Sequence, residues 1–356
     1  MLLVINFITL TLLGLSIGGW IVSFGKWRRG EAILPHTPRL PVPWGLLDLV
    51  ACVLILIFFS ALAIQSLISL GYLPPKVALE SLDIRGQTAI IGSEGIAKLL
   101  TMVAIIGLIC YRFRASAFDL GCDLKMLGHD VQLGTVAFAM IAPVIFTIQG
   151  VLVTFWKPSK HPLMETLRDS PNPTLFVVIA FSAVIVAPVV EEFFFRVLLQ
   201  GWIERVVNYR REGGFELLFG GRPNAANLPL ASSATETASL PGEASPDAMP
   251  VLLKQESPPT EAPADAAPLV DASSTRAPRL RHSMIAIFTS SIIFALMHYS
   301  HGPDWVALTI LALVLGFLYH RTHRITPSLV VHFLLNFLSL LALYSEVFLS
   351  PSTPQP

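Results

Sequence analysis

The chain has 356 residues, of which 53% are hydrophobic and 13% charged, and its mean hydropathy is +0.66. This composition excludes an ordinary soluble domain and indicates a polytopic membrane protein. Lys plus Arg and Asp plus Glu balance at 24 each, so the net charge gives no reason to expect a nucleic-acid partner. The lipid bilayer is therefore the expected surrounding of this chain.

Eight segments are long and apolar enough to cross a membrane as helices. They cover roughly residues 2–24, 44–70, 94–111, 131–155, 174–205, 283–300, 304–320 and 326–349. The first segment has no basic residues ahead of it, and Lys26, Arg28 and Arg29 follow it, so it is predicted to be a retained helix rather than a signal peptide. The sequence predicts an all-α transmembrane bundle of about eight helices that encloses an intramembrane catalytic cavity.

Most Lys and Arg residues fall in the loops on one side of this bundle, after the first, third, fifth and seventh segments. Because basic loops stay in the cytoplasm, both termini are predicted to lie outside, in a multi-pass protein of a bacterial plasma (inner) membrane. His320 and His323 lie in the last of these basic loops and are predicted to be solvated or to snorkel toward water.

The loop at 208–281 differs in composition from the rest of the chain. It is rich in Pro, Ala, Ser, Thr and Glu and includes the stretch SPPTEAPADAAPLVDASS, which cannot bury enough apolar surface to offset the entropy of ordering. We expect a disordered cytoplasmic loop. Its two interpretations are a tolerated insertion and a docking or regulatory segment.

The fifth segment carries three charged residues, Glu191, Glu192 and Arg196, although such side chains are costly inside a bilayer. Glu192 and Arg196 are four residues apart, so they share a helix face and can form an ion pair. Glu191 is rotated by about 100° from Glu192 and lacks that partner. Glu191 is therefore predicted to be the carboxylate that remains for chemistry, and Pro188 predicts a kink just ahead of it.

The sixth and eighth segments supply His298, His332 and Asn336. Glu191 and His298 both lie about 24 Å from the turn between their helices at about 1.5 Å per residue, so they are expected to meet. His332 lies only about 12 Å from the turn at Arg324 on the same rise, a mismatch that requires tilted helices or helices that extend beyond the membrane.

These residue types fit the hydrolysis of a peptide bond in or near the bilayer. A desolvated carboxylate beside a histidine can activate water, and a second histidine with an amide can donate hydrogen bonds to the oxyanion. Glu191, His298 and His332 are also one carboxylate and two imidazoles, a set that catalytic zinc uses, although HExxH is absent. The residues alone leave the metal open.

Two other functions use the same polar residues. In a non-enzymatic membrane scaffold or immunity factor they would only stabilise the bundle. In a proton-coupled transporter they would relay protons, but the sequence has no internal repeat of the kind typical of transporters.

Three motifs in chain order resemble the signature of the CPBP family, which includes the CAAX prenyl endopeptidases of the Rce1 type and the bacterial Abi proteins. They are EExxxR at Glu191–Arg196, FxxxH at Phe294–His298 and HxxxN at His332–Asn336. The sequence FDLG at 118–121 resembles a further feature upstream of this core. The resemblance divides the chain into N-terminal helices at 1–114, a protease-like core at 115–207 and 282–349, and the loop at 208–281.

The resemblance implies an intramembrane endopeptidase, often named a metalloprotease, that acts on a membrane-associated protein or peptide, CaaX-like or other. By this analogy Glu191 and His298 activate water, His332 and Asn336 stabilise the oxyanion, and Glu192 and Arg196 shape the site. The cofactor is either none or a divalent metal such as zinc. Members of the same family that act as scaffolds or bacteriocin-immunity factors provide the alternative. Val197 departs from the pattern, since glycine often follows the motif arginine.

Overall fold

The structure is a computed structural model that describes residues 2–37, 39, 41–74, 82–156, 167–168, 171–208, 214–222, 280–299 and 303–349. Its helices are α1 (Leu2–Arg28), α2 (Leu46–Ser69), α3 (Ile84–Phe113), α4 (Leu127–Phe155), α5 (Pro173–Asn208), α6 (Gly214–Phe219), α7 (Leu280–Met297), α8 (Asp304–Thr322) and α9 (Ile325–Leu349). Across the described ranges there is no β-strand.

Seven of these helices are long and apolar enough to cross a membrane, and α7 contributes a shorter apolar helix, Met284–Met297. The all-α bundle of about eight helices predicted from the sequence is therefore confirmed. The helix α3 begins at Ile84, about three turns before the predicted start. Its first half mixes Arg85 and Glu94 with apolar residues, so a hydropathy count did not assign it to the span.

The helix α5 lies at the centre of the packing, in contact with α3, α7, α8 and α9. Its buried side chains include Phe195 and Leu198, which belong to one apolar cluster with Phe294 of α7 and Ala312 of α8. On the outside, α1 packs on α4, where Ser16 Oγ and Trp20 Nε1 both donate to the carbonyl of Met140. The charged residues of α5 thus lie where four helices meet.

The turn between α8 and α9 is fixed to α4 and to the segment before it. The guanidinium of Arg324 contacts both carboxylate oxygens of Asp130 at 2.9 and 2.8 Å, and the Asp130 side chain is fully buried. The backbone N–H of Ile325 donates to the carbonyl of Gly121 at 2.9 Å, within the FDLG sequence. Gly121 has φ +77°, a conformation that glycine adopts without strain. These contacts set the position of α9 and of the histidine it carries.

The segment at 208–281 lies mostly outside the described residues. Within its described part, α6 is a folded helix that packs on α2, and the indole of Trp202 donates to the carbonyl of Leu217 at 3.1 Å. Disorder remains a prediction for residues 223–279, and the division of the chain into domains likewise remains a prediction.

Candidate active site

Glu192 and Arg196 form the buried base of the site. Both side chains are fully buried, and Arg196 Nε lies 3.3 Å from Glu192 Oε2, as their four-residue spacing predicted. The guanidinium also lies over the ring of Phe294, with its carbon 5.7 Å from the ring centroid. Burial of either charge alone would be costly, so each one stabilises the other.

His332 lies between the two carboxylates of α5. Its Nδ1 is 3.0 Å from Glu192 Oε1, and its Nε2 is 3.8 Å from Glu191 Oε2. The Glu191 side chain is 26% exposed, whereas that of His332 is 4% exposed. Because an ionised carboxylate can only accept, Nδ1 carries a proton toward Glu192, and Nε2 faces Glu191. His332 and Glu191 therefore meet, although a count at about 1.5 Å per residue places them at different depths.

The helix α5 is irregular near the acidic pair. Residues 182–186 and 193–200 are π-helical, and a π-helix places more residues in each turn than an α-helix does. A constant rise of 1.5 Å per residue therefore overestimates distances along α5. Short π-helical segments are frequent at functional sites.

His298 joins the site through Phe294. Its Nδ1 lies 2.8 Å from the carbonyl of Phe294, and the two rings are 4.7 Å apart. The same Phe294 ring is 6.0 Å from that of His332. One phenylalanine thus packs against both motif histidines, and a meeting of His298 with Glu191 stays a prediction.

Asn336 contacts the backbone of α5 rather than a side chain of the site. Its Nδ2 donates to the carbonyl of Ala183 at 2.8 Å. In this π-helical segment the Ala187 N–H is bonded to Ser182, and residue 188, five positions after Ala183, is a proline without an N–H. The Ala183 carbonyl therefore has no donor within its own helix, and Asn336 supplies one.

Two polar features of the site were not singled out from the sequence. The hydroxyl of the fully buried Ser328 lies beside Glu192, and Ser328 precedes His332 by four residues, so the same spacing rule could have found it. Both terminal nitrogens of Arg196 are buried without a hydrogen-bond partner among the described residues. Buried charged donors of this kind need water or a ligand, which indicates a polar cavity beside them.

The predicted metal ligands Glu191, His298 and His332 do not form a three-ligand group. Across the described part of the chain, no three His, Cys, Asp or Glu side chains are arranged to hold a metal ion. The Glu192 contact at His332 Nδ1 leaves Nε2 as the ring atom that could bind a metal. A metal in this site therefore stays a prediction.

A second cluster of histidines lies further along α5. Glu204 contacts His320 Nδ1 at 3.0 Å and His323 Nδ1 at 3.8 Å, and the His36 ring is 5.1 Å from that of His320. His320 and His323 are 5% and 9% exposed, so the prediction that they are solvated is wrong. No motif predicts this cluster, because Glu204 lies at a predicted helix end and His36 in a predicted loop.

Comparison with known proteins found a family match over part of the chain. A family model described as type II CAAX prenyl endopeptidase Rce1-like matches residues 270–338, which include His298, His332 and Asn336. No curated protein and no solved structure matches the chain. The match covers 69 of the 356 residues and confirms the resemblance of the FxxxH and HxxxN motifs to the Rce1-like family, whereas the EExxxR motif lies outside it.

Proposed function

We propose that the chain is an intramembrane endopeptidase in which Glu191 and His332 activate the attacking water. The observation that carries the proposal is the placement of His332 between a fully buried Glu192 and a partly exposed Glu191. Glu192 orients the imidazole and holds the proton on Nδ1, as the carboxylate does in other carboxylate–histidine pairs. Glu191 is left accessible as a base.

The gap between Glu191 and His332 suits a water molecule. At 3.8 Å the two atoms are too far apart for a direct hydrogen bond. A water about 2.8 Å from each would contact both at once. As the water oxygen bonds to the substrate carbonyl carbon, Glu191 takes its proton, and that proton then passes to the leaving amide nitrogen when the C–N bond breaks.

His298 and Arg196 are the proposed donors to the oxyanion. Arg196 has two buried nitrogens without a hydrogen-bond partner among the described residues, and both Arg196 and His298 pack against the Phe294 ring. Donors that are fixed before the reaction stabilise developing charge strongly in a site of low dielectric. Asn336 is assigned a positioning role, because its amide is bonded to Ala183.

The substrate is proposed to be a membrane-associated protein or peptide, CaaX-like or other. The reacting side chains lie on helices that cross the bilayer, so a substrate that partitions into the membrane reaches them directly. The Rce1-like match supports this substrate class. No step of the proposed mechanism is routed through a metal.

The test is cleavage of a membrane-anchored reporter peptide by the purified chain in detergent. Glu191→Gln is expected to reduce the rate by at least about 100-fold, as expected when a general base is lost. Glu94→Gln is the matched control, because Glu94 is also a carboxylate within a span but is bonded to Ser60 on α2. A chelator is expected to leave the rate unchanged.

The rival function is a membrane scaffold without catalysis. It is favoured by Asn336 and Glu192, whose polar atoms are engaged in structural contacts. A Glu191→Gln chain that folds and cleaves like the parent would refute the proposed base. A parent chain that cleaves none of a panel of membrane-anchored peptides would favour the scaffold.

A further inference from the structure

A cleft of about 530 Å³ lies where the end of α3 meets α6. Arg112, Arg114 and Arg222 line it together with Phe215 and Phe219, and none of the described residues in its lining is acidic. It lies outside the proposed active site, whose residues belong to α5, α7 and α9. None of its lining residues belongs to the EExxxR, FxxxH or HxxxN motif.

The backbone around the cleft is held by close contacts. The N–H of Gly221 donates to the carbonyl of Pro43 at 2.7 Å, and a Cβ at Gly220 would lie 2.6 Å from that same oxygen. Arg222 donates from Nη2 to the carbonyl of Arg114 at 2.9 Å. The turn after α6 is therefore fixed against the end of α3, and the three arginines keep a common position.

The charges of the cleft are only partly compensated. Arg112 pairs with the buried Asp48, and Arg222 lies 3.6 Å from Asp119. The side chain of Arg114 makes no hydrogen bond or ion pair with any described residue. One guanidinium therefore remains available beside two that are held in place, an arrangement suited to phosphate oxygens.

Exposed aromatic rings adjoin the arginines. Tyr111 is 89% exposed on α3, and Phe215 is 72% exposed and stacks on Phe219 at 4.5 Å. The apolar span of α3 ends at Phe113, so the cleft lies at the level where lipid headgroups meet the bilayer. Guanidinium groups above an exposed apolar helix face match a ligand with an anionic head and apolar chains.

We propose that this cleft binds the phosphate headgroup of an anionic phospholipid, with the acyl chains along the exposed face of α3. A soluble phosphate ester shares the headgroup chemistry but gains nothing from that apolar face. An acidic peptide could pair with the arginines, but it likewise has no acyl chain to cover Tyr111 and the residues below it.

The proposal is tested by native mass spectrometry of the purified full chain, titrated with phosphatidylglycerol and phosphatidylcholine of equal chain length. The parent chain is expected to prefer phosphatidylglycerol. Arg114→Gln is expected to weaken phosphatidylglycerol binding by about fivefold, the effect of one basic residue near a membrane surface, and to leave phosphatidylcholine binding unchanged. Since Arg114 makes no described side-chain contact, this variant is expected to fold normally.

Arg168→Gln is the matched control, because Arg168 is an exposed arginine that pairs with Glu346 away from the cleft. Equal binding of the two lipids by the parent chain, or equal losses in the two variants, would overturn the proposal. Binding of glycerol phosphate as tightly as phosphatidylglycerol would assign the cleft to a soluble ester. Displacement of phosphatidylglycerol by a synthetic acidic peptide at lower concentration would assign it to a protein partner.

Discussion

Two glutamates of α5 each form a buried pair with a histidine of another helix, and the two pairs have nearly the same local geometry. Glu192 contacts His332 Nδ1 at 3.0 Å, and Glu204 contacts His320 Nδ1 at 3.0 Å. They differ in what surrounds the pair. The first has Arg196 beneath it and the partly exposed Glu191 on the far side of the imidazole, whereas the second has Gln200 and further histidines.

The comparison shows that a buried carboxylate–imidazole pair is not by itself a reactive site. Such a pair orders helices in both places. In the first cluster a second carboxylate reaches the free ring nitrogen and is accessible to water, whereas the second cluster has no exposed carboxylate among its described members. The proposed chemistry therefore depends on a second carboxylate that water can reach, and not on the buried pair alone.

The same substitution in both clusters should separate them most strongly. We expect His332→Gln to reduce peptide cleavage by at least about 100-fold, because the imidazole that contacts Glu191 is lost. His320→Gln should change the cleavage rate per folded molecule by less than about threefold, because His320 takes no part in the proposed proton transfer. Initial rates of the purified variants, normalised to folded protein, measure both. Similar losses in the two variants would remove the distinction.

The next largest effect is on stability. Glu192→Ala leaves the guanidinium of Arg196 buried without its partner and should lower the free energy of unfolding by about 3–5 kcal/mol. The double variant Glu192→Leu with Arg196→Met removes both charges and should recover much of that loss. Thermal unfolding in detergent compares the two. A double variant less stable than the single one would show that the ion pair does not dominate the local energy.

The contact between Asn336 and Ala183 gives a third test. Asn336→Ala leaves a partly buried carbonyl without a donor and should cost about 1 kcal/mol. Pro188→Ala restores an N–H at the position from which a π-helical bond to Ala183 is expected. The combination Pro188→Ala with Asn336→Ala should therefore be more stable than Asn336→Ala alone. Additive losses in the double variant would contradict this account.

The last effect appears only in acid and concerns the second cluster. Burial lowers the pKa of His323 to about 3, while an unfolded histidine has a pKa of about 6.5. The unfolded chain therefore binds the additional proton first, so stability is full above pH about 6.5 and falls as the pH is lowered toward 3. His323→Asn, which tolerates the φ of +50° at this position, should show a flatter decrease of the unfolding temperature with acid. An unchanged dependence of the unfolding temperature on pH would mean that groups other than His323 determine the loss of stability in acid.

Much of the bundle could be predicted, because span length and hydropathy are local properties of the chain. The partner of Arg196 was also local, four residues away on one helix face. The neighbours of His332 were not, since they depend on the irregular rise of α5 and on the clamp between Arg324 and Asp130. Glu204 and His36 lie far apart in sequence, and no spacing rule connects them.

The π-helical turns of α5 have a consequence for how this helix tolerates change. A π turn holds one more residue than an α turn, so it is equivalent to a single-residue insertion absorbed within the helix. Removal of one residue from the stretch 193–200 would convert a π turn into an α turn and keep Glu192 and Glu204 in register with each other. Removal of one residue from a regular α-helical turn would instead rotate everything beyond it by about 100°, so this stretch tolerates a single-residue deletion better than the α-helical turns beside it.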